Sequence, residues 1–157
     1  MRINPPTLFW ILIAAIVAAD RFFPLIEFAE TWLPWGGAVI AIAGVGVSAA
    51  AKRHFQRIGT NVYTFEEPGE LVTAGLFGIS RNPMYLGLVV AGFGAALVSA
   101  TLAALFLSAA FTLIVRYWYV AYEESAMLRR FGEPYQAYCR RVGRWIGRRG
   151  GEIDSRG

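Results

Sequence analysis

The feature that most limits how this chain can fold is an uncharged stretch of 32 residues at positions 84–115. An α-helix needs roughly 20 apolar residues to cross a bilayer core of about 30 Å. The stretch is therefore too long for one crossing and barely long enough for two. Its middle, residues 98–101, is the best candidate for a turn. We predict a membrane hairpin whose second arm is completed by three interfacial aromatic residues, Tyr117, Trp118 and Tyr119.

The composition of the whole chain agrees with a membrane protein. Of the 157 residues, 56% are hydrophobic and 17% are charged, whereas a soluble domain carries about a quarter charged residues. We therefore expect an all-α integral membrane protein with a single domain over residues 1–147. The charged, glycine-rich segment 148–157 is predicted to be a disordered tail.

Two further apolar segments, at 6–23 and 34–51, are predicted to be membrane helices. Pro5 and Pro6 suit the first turn of a helix, and Pro24 suits a stop. The second helix is predicted to end at Lys52-Arg53-His54. We therefore predict a bundle of four transmembrane helices, with five as the alternative count. The first helix is interpreted as retained, because no small-residue cleavage site follows it.

Small residues recur every four positions along the third predicted helix, which indicates a face suited to close helix packing; they are Gly87, Ala91, Ala95 and Ser99.

Basic residues are distributed unevenly between the predicted loops. The loop after the second helix and the C-terminal region are rich in arginine, whereas the loop after the first helix has only Arg21, close to three acids. Cytoplasmic loops carry an excess of Lys and Arg. The N- and C-termini and the long loop at 56–82 are therefore predicted to be cytoplasmic, which places residues 80–87 and the Glu123-Glu124 pair on the same side.

The region after Glu124 is amphipathic. Gly132 can end one helix and Pro134 can open the next. Apolar residues fall on one face of that second helix, which predicts a helix lying on an anionic membrane surface; they are Tyr135, Tyr138, Val142 and Trp145.

Several classes of function are excluded by the residues present. The net charge of +4 arises beside apolar segments, as in membrane anchors, so we do not expect nucleic acid as a partner. Cys139 is the only cysteine and His54 the only histidine, which argues against a disulfide or a metal site. His54 is interpreted as a solvated residue at a helix end.

The candidate functional residues have ordinary explanations when taken singly. Arg81 alone is a membrane anchor, Asn82-Pro83 alone is a helix start, and Glu123-Glu124 alone is a solvated pair of acids. Together they offer carboxylates for hydroxyl or ammonium groups and donors for a carboxylate, beside apolar and aromatic walls. That combination is typical of a site for a cofactor containing a purine, a diol and an amino acid.

Four spaced motifs carry a resemblance to a known family. In order along the chain they are Leu71-Val72-Thr73-x-Gly75-x-Phe77, Arg81-Asn82-Pro83-Met84-Tyr85-x-Gly87, Glu123-Glu124, and Phe131-Gly132-x-x-Tyr135-x-x-Tyr138-x-x-x-Val142. With them, the chain resembles the superfamily of isoprenylcysteine carboxyl methyltransferases and phospholipid methyltransferases. Several motifs in order are far more specific than any one.

The resemblance implies S-adenosylmethionine as the methyl donor, bound in a cytoplasmic loop and by the last membrane helix. The cofactor-binding residues that it implies are Gly69, Glu70, Leu71, Val72, Phe77, Asn82, Pro83, Met84, Tyr85, Glu123 and Glu124. The catalytic residues that it implies are Arg81, Tyr85 and Arg116, and no metal is implied.

Some positions depart from the pattern of the family. Asn82 stands in place of a common histidine, and Phe77 in place of a tyrosine. Tyr119 stands where the isoprenylcysteine enzymes carry a substrate-binding arginine, and Arg116 lies one turn earlier. Methyl transfer is therefore better supported than any particular acceptor.

The favoured acceptor is an isoprenylcysteine-type carboxylate, and the alternatives are a phospholipid amine and a small lipophilic thiol. A steroid reductase that uses a nicotinamide cofactor is a second class, although Met84 and Leu88 depart from its signature. A membrane module without enzymatic activity is a third. We expect membrane lipids and a lipophilic acceptor as partners, and no obligatory protein partner.

Overall fold

The computed structural model describes residues 3–22, 32–58 and 69–147. These residues form helices and connecting loops without any strand, which confirms the predicted all-α class. The elements are α1 (Pro5–Phe22), α2 (Leu33–Ile58), a 3-10 turn (Gly75–Gly78), α3 (Pro83–Ser99), α4 (Leu102–Ile114), a π-helical segment (Val115–Val120), α5 (Ala121–Phe131) and α6 (Glu133–Arg141).

Three helices are long and apolar enough to cross a membrane, namely Pro5–Phe22, Leu33–Arg57 and Leu102–Phe131. The last comprises α4, the π segment and α5 as one continuous helix. Helix α3 is also apolar but has 17 residues, or about 25 Å at 1.5 Å per residue, the lower limit for a crossing. The bundle therefore has three to four membrane-spanning helices, and the part of the chain that is described contains no fifth.

The predicted hairpin turn is present at residues 98–101. Ala100 adopts the left-handed conformation with φ 52°, and the hydroxyl of Thr101 accepts a hydrogen bond from the Ala104 amide to begin α4. The hydroxyl of Ser99 donates to Asp20 Oδ1 at 2.6 Å. This bond ties the turn to the end of α1.

The predicted end of the second helix is wrong. Helix α2 continues through Lys52, Arg53 and His54 to Ile58. Basic side chains near a helix C-terminus interact favourably with the helix dipole, so they extend this helix beyond the apolar segment rather than end it. The stop predicted at Pro24 and the tail predicted at 148–157 lie outside the described residues.

Helices α2 and α3 pack backbone against backbone. A Cβ atom on Gly44 would lie 2.5 Å from the Ala91 nitrogen, and one on Gly87 would lie 2.5 Å from the Gly44 oxygen. Contacts this short leave room only for hydrogen at these positions. The small-residue face predicted for the third helix is thus confirmed as a packing face against α2 at Gly87 and Ala91, whereas Ser99 bonds to α1.

Helix α6 is amphipathic, as predicted, but its apolar face is covered by protein. Tyr135, Tyr138 and Val142 are at most 6% exposed and pack against Leu71, Met127, Phe131 and Cys139. Trp145 packs against the transmembrane core. The expectation that this face lies on a membrane surface is therefore wrong, because the loop before α3 and helix α5 occupy it.

Candidate active site

The first turn of α3 lies against the first turn of α5. Tyr85 is buried in α3, and its hydroxyl donates a hydrogen bond to Glu123 Oε1 at 2.6 Å. The rings of Tyr85 and Tyr119 lie 6.3 Å apart. The prediction that the Arg81–Tyr85 region and the glutamate pair share one end of the bundle is thereby confirmed.

Glu124 lies at the centre of a group of charges. It forms ion pairs with Arg81 at 3.1 Å and with Arg144. The Glu124 and Arg81 side chains are only 14% and 10% exposed. The hydrogen bond to Glu124 is the main cause that raises the pKa of Arg144 above its ordinary value. Arg144 therefore remains a cation at any physiological pH.

Arg144 is not among the functional residues predicted from the sequence. It belongs to a segment after α6 that we call the C-terminal strap, residues 143–147. The carbonyl of Arg144 accepts hydrogen bonds from Asn82 Nδ2 at 3.2 Å and from Ser80 Oγ at 3.4 Å. Asn82 Nδ2 also lies 3.5 Å from Glu124 Oε1. The strap thus completes the polar surroundings of Asn82.

Backbone hydrogen bonds fasten both ends of the strap to the loop before α3. The Arg81 amide donates to the Gly143 carbonyl at 3.0 Å, and the Gly147 amide donates to the Ile79 carbonyl at 3.1 Å. The Gly143 amide closes the turn on the Gly147 carbonyl at 2.7 Å. Gly147 has φ 109°, a conformation that side chains other than glycine rarely adopt.

Phe77 is part of a small core beneath the loop. Its ring is 4% exposed and packs edge-on against Phe55 at 4.6 Å and beside His54 at 6.1 Å. The hydroxyl of Tyr138 donates to the Phe77 carbonyl at 2.6 Å. Burial is the main cause that raises the pKa of Tyr138 well above its ordinary value, so this hydroxyl stays protonated.

The interpretation of His54 as a solvated residue is wrong. Its side chain is half-buried against Phe77, and within the described part of the chain its Nε2 is buried without a hydrogen-bond partner. Helix α2 reaches the loop because it extends beyond the apolar segment. No signal in the sequence pattern marks this contact.

The predicted cofactor-binding residues divide into three groups. Asn82, Tyr85, Glu123 and Glu124 belong to the polar network. Gly69 and Glu70 are exposed at the start of the described loop, and Pro83 is buried at the first turn of α3. The remaining residues pack into the adjoining apolar clusters, and they are Leu71, Val72, Phe77 and Met84.

Two cavities share Arg81 in their linings. The first, of about 590 Å³, is lined by Arg81, Arg116, Gly143, Arg144, Trp145, Ile146 and Gly147. The second, of about 380 Å³, is lined by Arg81, Glu124, Ser125, Leu128, Tyr135, Gln136, Cys139 and Arg140. Both volumes suit a small-molecule ligand. Arg116, predicted as catalytic, lines the first cavity and not the second.

The second cavity offers several kinds of polar and apolar group, and Glu124 is the one predicted cofactor-binding residue in its lining. Glu124 supplies carboxylate acceptors, Ser125 and Gln136 supply neutral polar groups, and Leu128 and Tyr135 supply apolar and aromatic surface. Within the described ranges, no cluster of His, Cys, Asp and Glu could hold a metal ion.

Tyr119 has a structural role. Its side chain is 5% exposed, and its hydroxyl donates to the Ile3 carbonyl at 2.6 Å. This bond holds the segment before α1 against the π segment. A π-helical turn inside an α-helix is an irregularity that is frequent at functional sites.

A family model described as phospholipid methyltransferase matches residues 32–134, or 103 of the 157 residues. The match covers α2 to α5 and ends before the C-terminal strap. No curated protein and no solved structure is similar enough to match the chain.

Proposed function

Because the chain belongs to the phospholipid methyltransferase family, we propose that it transfers a methyl group from S-adenosylmethionine to a lipophilic acceptor in the membrane. The observation that carries the proposal is a pair of contacts to α5, from Tyr85 of α3 to Glu123 and from Arg81 of the preceding loop to Glu124. They join the two motifs that the resemblance assigns to the methyl donor.

Glu123 and Glu124 would hold the donor by accepting hydrogen bonds from its ammonium and hydroxyl groups. Tyr85 orients Glu123, while Arg81 and Arg144 hold Glu124 in place. Asn82 is itself held by the strap. The side chains are therefore arranged before the ligand arrives, which reduces the entropy lost on binding.

S-adenosylmethionine supplies a methyl group that is already activated as part of a sulfonium. The task that remains for the protein is alignment of the acceptor and exclusion of water. A carboxylate acceptor needs no base, whereas an amine or thiol must first lose a proton. Tyr85 and the Arg81–Glu124 pair, all largely buried, form the wall that excludes water.

Three acceptors remain in the proposal, namely a phospholipid amine, an isoprenylcysteine-type carboxylate and a small lipophilic thiol. The family match favours a phospholipid amine. The position of Arg116 on the wall of a cavity favours an acceptor with an anionic group, such as an isoprenylcysteine-type carboxylate. We also retain the orientation with cytoplasmic termini, which a reporter fused to either terminus would test.

Calorimetry of the purified protein with S-adenosylmethionine tests donor binding. We expect Glu123→Gln to weaken binding about ten-fold, since a hydrogen bond to a charged group contributes about 1.5–3 kcal/mol. The matched control is Glu133→Gln, which removes an exposed acid at the start of α6 and is expected to change nothing.

Transfer of a radiolabelled methyl group to farnesylcysteine, phosphatidylethanolamine and a lipophilic thiol then identifies the acceptor. Folded protein that binds no S-adenosylmethionine would refute the proposal. An absorbance change with a reduced nicotinamide cofactor would support the reductase instead.

A further inference from the structure

The first cavity is lined by three arginines from three separate elements. Arg81 comes from the loop before α3, Arg116 from the π segment, and Arg144 from the C-terminal strap. The cavity lining contains no acidic residue. Glu124, behind the wall, pairs with two of the arginines. The lining itself therefore carries positive charge only.

These arginines also have hydrogen-bond donors to spare. In the part of the chain that is described, the Nε atoms of Arg81, Arg116 and Arg144 are all buried without a partner. An unsatisfied buried donor is unfavourable, and the three guanidinium groups that carry these atoms all belong to residues that line one cavity. Guanidinium groups match the oxygens of phosphate particularly well.

The surroundings of the cavity indicate where the ligand comes from. Tyr117 and Trp118, which follow Arg116, are 68% and 70% exposed, and Ile146 of the strap is 71% exposed. Exposed aromatic residues at the end of a membrane helix are typical of the headgroup region. The lining of the cavity itself includes Trp145 and Ile146, so apolar side chains stand beside the positive ones, as a lipid headgroup site requires.

We propose that this cavity binds the phosphate of an anionic membrane lipid through Arg81, Arg116 and Arg144. The positive charge of the lining disfavours headgroups that add an ammonium group to the phosphate. Arg144 lies beyond the residues matched by the family model. The site goes beyond methyl transfer, because lipid binding here needs no methyl donor.

Native mass spectrometry of the full chain in neutral detergent tests the proposal. The measurement is made without S-adenosylmethionine. We expect phosphatidylglycerol to bind roughly ten-fold more tightly than phosphatidylcholine. Arg116→Gln should weaken the binding of phosphatidylglycerol roughly ten-fold, which is the effect of losing one charged hydrogen bond. The matched control is Arg129→Gln, which removes the same charge from an exposed position on α5. It is expected to leave binding within about two-fold.

Arg116→Lys serves as a second variant if Arg116→Gln folds poorly, and it should bind more weakly than the wild type because Lys lacks the planar fork. The proposal is overturned if Arg129→Gln loses as much affinity as Arg116→Gln, or if phosphatidylcholine binds as tightly as phosphatidylglycerol. Displacement of the lipid by millimolar inorganic phosphate would assign the cavity to a soluble anion. Displacement by farnesylcysteine would assign it to a carboxylate, and either result contradicts a lipid-phosphate site.

Discussion

Replacement of Glu124 by glutamine should be the most destabilising single change in the site. The substitution keeps the shape of the side chain but removes the only negative charge that pairs with Arg81 in the described structure. The Arg81 side chain is 10% exposed and lies 3.1 Å from Glu124, so water cannot easily replace the lost partner. Arg144 is 36% exposed and can be partly solvated.

The size of the effect follows from these exposures. Unpairing a buried ion pair costs about 3–5 kcal/mol, and a solvent-exposed pair contributes at most about 1 kcal/mol. We take about 3 kcal/mol, near the lower limit, because neither side chain of the Arg81–Glu124 pair is completely buried. At about 2–4 °C per kcal/mol for a protein of this size, the melting temperature should fall by roughly 10 °C.

Thermal unfolding in detergent, followed by tryptophan fluorescence, measures this change. Glu123→Gln is the matched control and should lose about 1 kcal/mol or less, since glutamine keeps an oxygen that accepts from Tyr85. The double variant Glu124→Gln/Arg81→Gln should recover part of the loss, because both charges are then absent. If Glu124→Gln has the same melting temperature as Glu123→Gln, the ion pairs of Glu124 do not stabilise the site.

Three further changes test other contacts. Tyr85→Phe should weaken S-adenosylmethionine binding about ten-fold in calorimetry while the protein stays folded, because Glu123 loses a charged hydrogen bond that orients it. Gly87→Ala should lower the yield of folded protein and its melting temperature by more than Gly46→Ala does. A Cβ at Gly87 would meet the backbone of α2, whereas one at Gly46 meets nothing within 4 Å. Equal melting temperatures of the two variants would contradict this packing. The hydroxyl of Ser108 in α4 donates to the Gly92 carbonyl of α3 at 3.0 Å. Ser108→Ala should cost only about 0.6 kcal/mol in thermal unfolding, as is usual for a hydrogen bond between membrane helices, and a loss above about 2 kcal/mol would contradict this expectation.

The hairpin and the meeting of Tyr85 with Glu123 could be predicted from the sequence. The length of the uncharged stretch requires two crossings rather than one, and two crossings return the chain to the side where it began. Paired motifs at the two ends of the hairpin must then lie at one face. These conclusions depend on length and charge, which a sequence states directly.

The contacts of Arg144 and His54 could not be predicted in the same way. The strap has no periodic pattern of hydrophobic residues. It is held by backbone hydrogen bonds to the loop before α3, and such bonds cannot be recognised from the side chains in a sequence. His54 is half-buried because α2 extends past Lys52 and Arg53. The position at which a helix ends beyond its apolar segment depends on what it packs against, and that partner is distant in sequence.

The strap also has a consequence for how the protein is made. Ribosomes synthesise it after all the described membrane helices, so those helices can enter the bilayer while the loop before α3 still lacks its partners. Gly143 and Gly147 then supply the missing backbone hydrogen bonds, and Arg144 supplies the second cation for Glu124. Completion of the site is therefore a late step in biogenesis, and we expect the nascent protein to become competent for its ligands only after insertion has finished.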